Sequence, residues 1–162
     1  MTVSIIKNEV SEKNTKLLGF HLGKDIVEIE KNNLSVIFVS GELGVGKTTF
    51  IKGIMGGLGY ENKVKSPTFS LVEIYETDFI KIFHFDLYRI KSSKELLEIG
   101  LYEYLEEESI CIFEWPENGR EILPKPNLDI KIEHKFEGID KRKLSFNSEI
   151  ILKNLEVFSN TI

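Results

Sequence analysis

The sequence contains one cysteine, Cys111, among 162 residues. A single thiol excludes an internal disulfide and any zinc site built from cysteines, and because Cys111 lies in an apolar run we expect a small core residue rather than a nucleophile. No apolar run is long enough to span a bilayer, and the N-terminus lacks a charged segment followed by an apolar one. We therefore expect a cytoplasmic protein without a membrane segment. The net charge of -5 argues against strong non-specific binding to nucleic acid, although RNA could be reached through a partner.

The chain also lacks internal repeats, low-complexity tracts and linkers. A length of 162 residues suits one domain with one core. The contents of 41% hydrophobic and 29% charged residues are ordinary for a globular protein. We expect residues 1–162 to form a single domain.

The stretch 41–49, Gly-Glu-Leu-Gly-Val-Gly-Lys-Thr-Thr, matches the phosphate-binding loop (Walker A) pattern. Its glycines let the backbone turn closely around a polyphosphate, so that successive N–H groups form an anion nest. Lys47 can reach the β- and γ-phosphates of a nucleotide, and the Thr48 hydroxyl can bind Mg²⁺. An apolar strand pattern at 34–39 precedes the loop, and a helical pattern that ends near Gly59 follows it. Because the motif requires this context, a chance glycine-rich turn is the poorer interpretation.

Two acidic residues stand at or just beyond the ends of predicted strands. Asp86 lies near the end of a strand predicted at 79–90, and Glu114 directly follows one predicted at 109–113. Ligands of open α/β sheets collect at this edge, so either carboxylate could bind Mg²⁺ or orient an attacking water. A capping or surface role is the alternative for Asp86. We expect His84, on the same strand face as Asp86, to be a supporting hydrogen-bond partner.

The order of elements predicts an α/β fold, a three-layer sandwich of the P-loop NTPase type whose sheet is mixed, mostly parallel, with antiparallel hairpins. A strand is predicted at 3–7, followed by a helix that Ser11 caps and that carries Leu17, Leu18, His21 and Leu22 on its buried face. A strand at 69–76 is joined to the one at 79–90 by a tight turn at Thr77-Asp78, and a helical stretch begins at Ser92 and is interrupted at Gly100. The chain is predicted to end with a hairpin of 128–136 and 141–146, which turns near Gly138, and a last helix at 148–158. His21 is predicted to be a core histidine. The residues alone favour a plain surface connection for the polar loop 61–68, with a nucleotide switch as the alternative.

Four sequence blocks occur in a distinctive order: GELGVGKTTF (41–50), KSPTFSLVE (65–73), HFDLYR (84–89) and EWPE (114–117). Together they resemble the bacterial TsaE family, small ATPases of the tRNA threonylcarbamoyladenosine (t6A) pathway. The resemblance covers nearly the whole chain. Its departures, Val45 and Phe69, remove no group that does chemistry.

The resemblance implies a role for several side chains. It makes Thr68 the threonine of a switch loop, which replaces the plain-loop interpretation, and it makes Trp115 a functional aromatic residue. The implied catalytic residues are Lys47, Asp86 and Glu114, and the implied metal ligands are Thr48, Asp86 and Glu114. The implied nucleotide contacts, together with the C-terminal hairpin turn, are Glu12, Thr15, Glu42, Leu43, Gly44, Val45, Gly46, Lys47, Thr48, Thr49, Thr68, Trp115 and Glu117.

The function that the resemblance implies is an accessory ATPase that uses ATP and Mg²⁺. Its partners would be threonylcarbamoyltransferase subunits of the TsaB/TsaD type, with tRNA reached only through that complex. Nucleotide binding and hydrolysis would drive association with the partners and reset between rounds. No residue is evident as an arginine finger in cis, but Arg89 is a candidate for that role. A P-loop small-molecule kinase is the alternative, although the arginine-bearing lid of such kinases is missing. A GTPase is another, although residues 62–65 lack the acid of a guanine-reading motif.

Overall fold

The computed structural model describes residues 2–29, 33–135 and 140–158. Its elements in chain order are β1 (Val3–Val10), α1 (Glu12–Glu28), β2 (Val36–Ser40), α2 (Lys47–Gly57), β3 (Val72–Glu76), β4 (Lys81–Asp86), α3 (Lys94–Glu98), α4 (Leu101–Glu106), β5 (Ser109–Glu114), a 3₁₀ turn (Pro116–Gly119), β6 (Leu128–His134), β7 (Arg142–Ser148) and α5 (Lys153–Val157). Among the described residues, no helix combines the length and the apolar character that crossing a membrane requires.

The strands of the described segments form one seven-stranded sheet in the order β1-β7-β6-β2-β5-β4-β3. The four strands β6, β2, β5 and β4 are parallel and form its centre. The pairs β1–β7, β6–β7 and β3–β4 are antiparallel and form its two sides. Helices α1, α2 and α5 pack on one face of the sheet, and α3 and α4 pack on the other. The predicted three-layer α/β sandwich with a mixed sheet is confirmed.

Helices α1 and α2 are in backbone contact where glycines on the two helices face each other. A Cβ added to Gly19 would collide with the carbonyl oxygen of Phe50, and one added to Gly53 would collide with that of Lys16. Only glycine permits this separation. The close crossing brings the first turn of α1 beside the loop that precedes α2.

The glycine crossing also explains why the predicted buried face of α1 is only half confirmed, with Leu18 and Leu22 buried but Leu17 and His21 not. Leu17 is 37% exposed, and His21 is only half-buried, with its ring 4.8 Å from that of Phe158. The small residues that meet α2 turn the helix so that the buried stripe is shifted around its axis and keeps only part of the predicted face. That stripe comprises Asn14, Thr15, Leu18, Gly19, Leu22, Gly23, Asp25 and Ile26.

Several predicted strands extend beyond the observed ones, most of all those at 69–76 and 79–90, and one predicted helix is too long. Residues 69–71 form a turn before β3 rather than a strand, because Leu71 adopts the left-handed region with φ 69°. The hairpin turns over Thr77–Ile80, where the Thr77 hydroxyl donates to the Ile80 carbonyl at 2.7 Å, and β4 ends at Asp86. The predicted helix at 148–158 is limited to α5, because Ser148 still pairs within the sheet. Strand β1 is longer than predicted, since it continues to Val10.

Other expectations agree with the structure. Ser11 caps α1 by accepting from the Asn14 N–H, and Gly100 separates α3 from α4 with φ 80°. Cys111 is buried, and its burial raises the pKa of the thiol to about 11, as a core cysteine requires. The predicted turn near Gly138 lies outside the described residues.

Candidate functional site

The phosphate loop connects β2 to α2 and begins the site. Gly44 and Gly46 adopt left-handed backbone with φ 76° and 112°, which residues with a side chain rarely adopt. Helix α2 then starts at Lys47, so its N-terminal N–H groups point into the loop. The sequence prediction of strand, glycine loop and helix is confirmed at this place.

Lys47 is the cation of the loop and is only 6% exposed. Its Nζ donates to the carbonyl oxygens of Gly41 and Glu42 at 2.7 and 2.8 Å, and it lies 4.4 Å from the centre of the Trp115 ring. Burial lowers the pKa of Lys47, whereas the nearby carboxylates, above all that of Glu114, act in the opposite direction. The charge is therefore held by acceptors of its own loop, an aromatic face and acidic neighbours.

The two predicted acids are neighbours across parallel strands, because Asp86 on β4 is paired with Glu114 on β5. Both are buried, at 6% and 2% exposure. Glu114 Oε1 accepts from the Thr48 hydroxyl at 3.4 Å, and its Oε2 lies 2.9 Å from His84 Nε2. The expectation that His84 supports the acidic site by a hydrogen bond is confirmed, with Glu114 as its partner.

The loop before β3 contacts the second acid. Thr68 donates its hydroxyl hydrogen to Asp86 Oδ2 at 3.0 Å, and its Oγ1 lies 2.8 Å from Ser66 Oγ. The loop is tied back to the sheet by the Asp86 N–H, which donates to the Leu71 carbonyl at 3.0 Å. Asp86 therefore contacts this loop twice, through its N–H at Leu71 and through its carboxylate at Thr68.

Aromatic side chains surround the opening of the site. Trp115 is half-buried in left-handed backbone with φ 54°, and its ring is 5.0 Å from that of Tyr88. Phe69 is 85% exposed, and the Arg89 guanidinium lies 4.2 Å from the centre of its ring. Trp115 therefore packs partly against the core and partly lines the site. Arg89 contacts the exposed Phe69 ring outside the cavity.

A cavity of about 250 Å³ lies between these elements. It is lined by Leu43, Gly44, Gly46, Lys47, Thr48, Thr49, Ser66, Thr68, Asp86, Glu114 and Trp115. Ten of these eleven residues are predicted site residues, and Ser66 is the addition. The oxygen donors of Thr48, Asp86 and Glu114 are of the hard type that Mg²⁺ prefers when substrate phosphates complete its shell. In the described part of the chain no group of three or more His, Cys, Asp or Glu forms a metal cluster.

Five predicted contacts do not line this cavity. Glu12, Glu42 and Glu117 are exposed, and the Val45 side chain is buried in the core. Thr15 is buried with its hydroxyl donating to the Ser11 carbonyl at 2.8 Å, and its methyl group faces Gly46 from behind the loop. These nucleotide contacts stay predictions.

Sequence reasoning missed Arg142, which is buried behind the loop and donates from Nε to the Val45 carbonyl at 2.7 Å. A signal was present in the alternation of the last hairpin. Arg142 shares the inward face of β7 with Leu144 and Phe146, and a charge in a buried stripe calls for a partner.

Comparison with known proteins adds the family. The family model described as "Threonylcarbamoyl adenosine biosynthesis protein TsaE" matches residues 10–144. The chain belongs to the TsaE family. Relatives named tRNA threonylcarbamoyladenosine biosynthesis protein TsaE include that of Haemophilus influenzae, 38% identical over 72% of this chain and 73% of the relative. That of Rickettsia bellii is 36% identical over 86% of this chain and 92% of the relative. The crystal structure of Bacillus subtilis YdiB is similar with a TM-score of 0.72 and 28% identity, covering 91% of this chain and 87% of that one.

Proposed function

We propose that this TsaE-family chain is a Mg²⁺-dependent ATPase that acts in t6A modification of tRNA. The pathway is inferred from the names of its relatives, which are t6A biosynthesis proteins. The main support for ATPase activity is that one cavity at the phosphate loop is lined by Lys47, Thr48, Asp86 and Glu114. A loop of this kind binds nucleotide, and the paired carboxylates add the acidic side that hydrolysis needs.

The chemistry is in-line attack of water on the γ-phosphate. Lys47 is the cation available to the polyphosphate, because its Nζ contacts the main chain of the phosphate loop at Gly41 and Glu42 and its side chain lines the cavity. Its charge stabilises the negative charge that develops on the phosphate oxygens. Mg²⁺ bound by Thr48 and the acids would supply further charge neutralisation at the same oxygens.

The two carboxylates are held differently, which suits them to different tasks. Glu114 is fixed through both oxygens, by Thr48 and His84. Asp86 is contacted by Thr68 from the loop before β3 and by the Tyr88 N–H at 3.0 Å. We therefore assign Glu114 to the rigid, Thr48 side of the site, and Asp86 to the side that senses the loop.

Partner binding follows from the same contact. Thr68 exchanges its hydrogen bond to Asp86 for a contact with the γ-phosphate, and the loop moves with it. The aromatic residues next to that loop, the exposed Phe69 and Tyr88 and the half-buried Trp115, form the surface that this movement changes. We propose that threonylcarbamoyltransferase subunits of the TsaB/TsaD type bind there in the ATP state and stimulate hydrolysis.

Calorimetry and phosphate release test this proposal. The purified chain should bind ATP with Mg²⁺ and release inorganic phosphate slowly without any added acceptor, and a TsaB/TsaD-type complex should accelerate the release. Binding that persists when Lys47 is replaced by alanine would contradict the nucleotide site. Phosphate transfer to a small molecule, without release to water, would instead favour a kinase.

A further inference from the structure

Arg142 is a buried cation that the proposed chemistry does not use. It is the first residue of β7, is 8% exposed, and lies behind the phosphate loop. Its Nε–H donates to the Val45 carbonyl at 2.7 Å, and its Nη1 donates to the Asp140 carbonyl at 3.3 Å. A buried guanidinium on a main-chain carbonyl makes a charge-assisted hydrogen bond, which is stronger than a neutral one.

The carbonyl that Arg142 holds belongs to the same peptide plane as the Gly46 N–H. This peptide is trans. In a planar trans peptide the C=O and N–H bonds point in opposite directions. A donor that fixes the Val45 carbonyl behind the loop therefore directs the Gly46 N–H forwards. Gly46 lines the cavity in front of the loop, together with Lys47 and Thr48, whereas Arg142 does not.

Glycine at position 46 makes such a restraint useful. With φ 112° and no side chain, Gly46 leaves the orientation of the plane to its surroundings. The position of a Cβ on Gly46 would lie 3.4 Å from Arg142 Nε, so the guanidinium packs directly against this residue. The positively charged Arg142 guanidinium, hydrogen-bonded to the Val45 carbonyl oxygen, also polarises this peptide and strengthens its N–H as a donor.

We propose that Arg142 is a positioning residue of the phosphate loop, whose hydrogen bond to the Val45 carbonyl aims the Gly46 N–H at the bound polyphosphate. The inference rests on the proposed nucleotide site and adds a residue that lies 97 positions from Val45 in sequence. It predicts a contribution to nucleotide affinity, because the Gly46 N–H would contact the phosphate in the ground state and the transition state alike.

The test is ADP binding by Arg142→Met, which keeps the aliphatic body of the side chain and removes charge and donor. We expect affinity for ADP to fall about tenfold, as for loss of one oriented hydrogen bond to a charged group. In the ATPase assay KM should rise while kcat stays the same. The matched control is Lys143→Met, which has the same change in charge on the adjacent, outward-alternating position of β7 and should bind ADP normally.

The nucleotide-free protein supplies a second readout. In the ¹⁵N–¹H spectrum the Gly46 amide should shift, and its hydrogen exchange should accelerate, in Arg142→Met but not in the control. Normal ADP affinity with an unchanged Gly46 amide would overturn the inference, even if the melting temperature falls, because the role would then be structural. If Arg142→Met does not fold, Arg142→Lys is the variant to measure. We expect it to bind ADP a few-fold more weakly and to show a shifted Gly46 amide resonance. Wild-type ADP affinity together with a wild-type Gly46 resonance would overturn the inference. Failure of the wild-type chain to bind ADP would instead refute the proposed function itself.

Discussion

Replacement of Glu114 by glutamine tests the acidic side of the site with almost no change in shape. In the structure Glu114 is 2% exposed, with its two oxygens 3.4 Å from the Thr48 hydroxyl and 2.9 Å from His84 Nε2. The amide oxygen can still accept from His84, so the loss in unfolding free energy should be about 1 kcal/mol, the difference between a charge-assisted and a neutral hydrogen bond. The effect on folding is therefore small.

The effect on hydrolysis should be much larger. Loss of one preorganised electrostatic group lowers turnover by about ten- to a thousandfold, which corresponds to roughly 1.4 to 4 kcal/mol of transition-state stabilisation. ATP affinity should change much less, because Lys47 and the loop N–H groups remain. Phosphate release at saturating ATP measures turnover, and calorimetry measures affinity.

A matched control is Glu121→Gln, which makes the same change at an exposed residue outside the cavity. It should hydrolyse ATP at the wild-type rate. Unchanged turnover in both Glu114→Gln and Asp86→Asn would show that the two buried acids are structural and take no part in hydrolysis.

Three further predictions concern the loop, the aromatic surface and the helix crossing. Lys47→Ala should abolish most ATP binding in calorimetry, because it removes the cation that reaches the phosphates. Normal affinity would rule out the phosphate loop as the nucleotide site. If Trp115 contacts the partner, Trp115→Ala should keep most ATP affinity and lose partner-stimulated hydrolysis. If Trp115 is mainly a core residue, the substitution should instead lower the free energy of unfolding by about 3–5 kcal/mol, measured by thermal melts. A folded variant with full stimulation would contradict both roles. Gly19→Ala should destabilise the fold, by about 1–3 kcal/mol as for overpacking, because its Cβ collides with the Phe50 carbonyl. Gly56→Ala on α2 is the control, because its added Cβ would meet only the Phe20 ring at 3.7 Å, and it should not lower the denaturant concentration at which the chain unfolds.

The part of the site that could be predicted from sequence is the part encoded locally. The phosphate loop and the start of α2 occupy one continuous stretch, where each residue type has a fixed task. Asp86 and Glu114 could be chosen because each stands at the end of a buried strand, and parallel strands end at the same edge. The family resemblance then selected Thr68, which no local pattern favoured.

The parts that could not be predicted depend on residues far apart in the chain. The contact between Arg142 and the Val45 carbonyl spans 97 positions, so it requires the register of β7 in the sheet. The apolar pattern of α1 correctly indicated Leu18 and Leu22 as buried. It also indicated Leu17 and His21, which the glycine contacts with Gly53 and Gly57 of α2 leave on a more exposed side. Strand ends were misplaced for a related reason, because the left-handed backbone of Leu71 follows from its tertiary surroundings.

A pull-down tests whether ATP bound at the phosphate loop controls association of this chain with the t6A partners. The tagged chain would be incubated with native cytoplasmic extract and Mg²⁺, with and without ATP, beside Lys47→Ala as the control that cannot bind nucleotide. We expect the wild-type chain to recover TsaB- and TsaD-type subunits only when ATP is present, and Lys47→Ala to recover none. Equal recovery of those subunits with and without ATP, or by Lys47→Ala, would contradict this expectation.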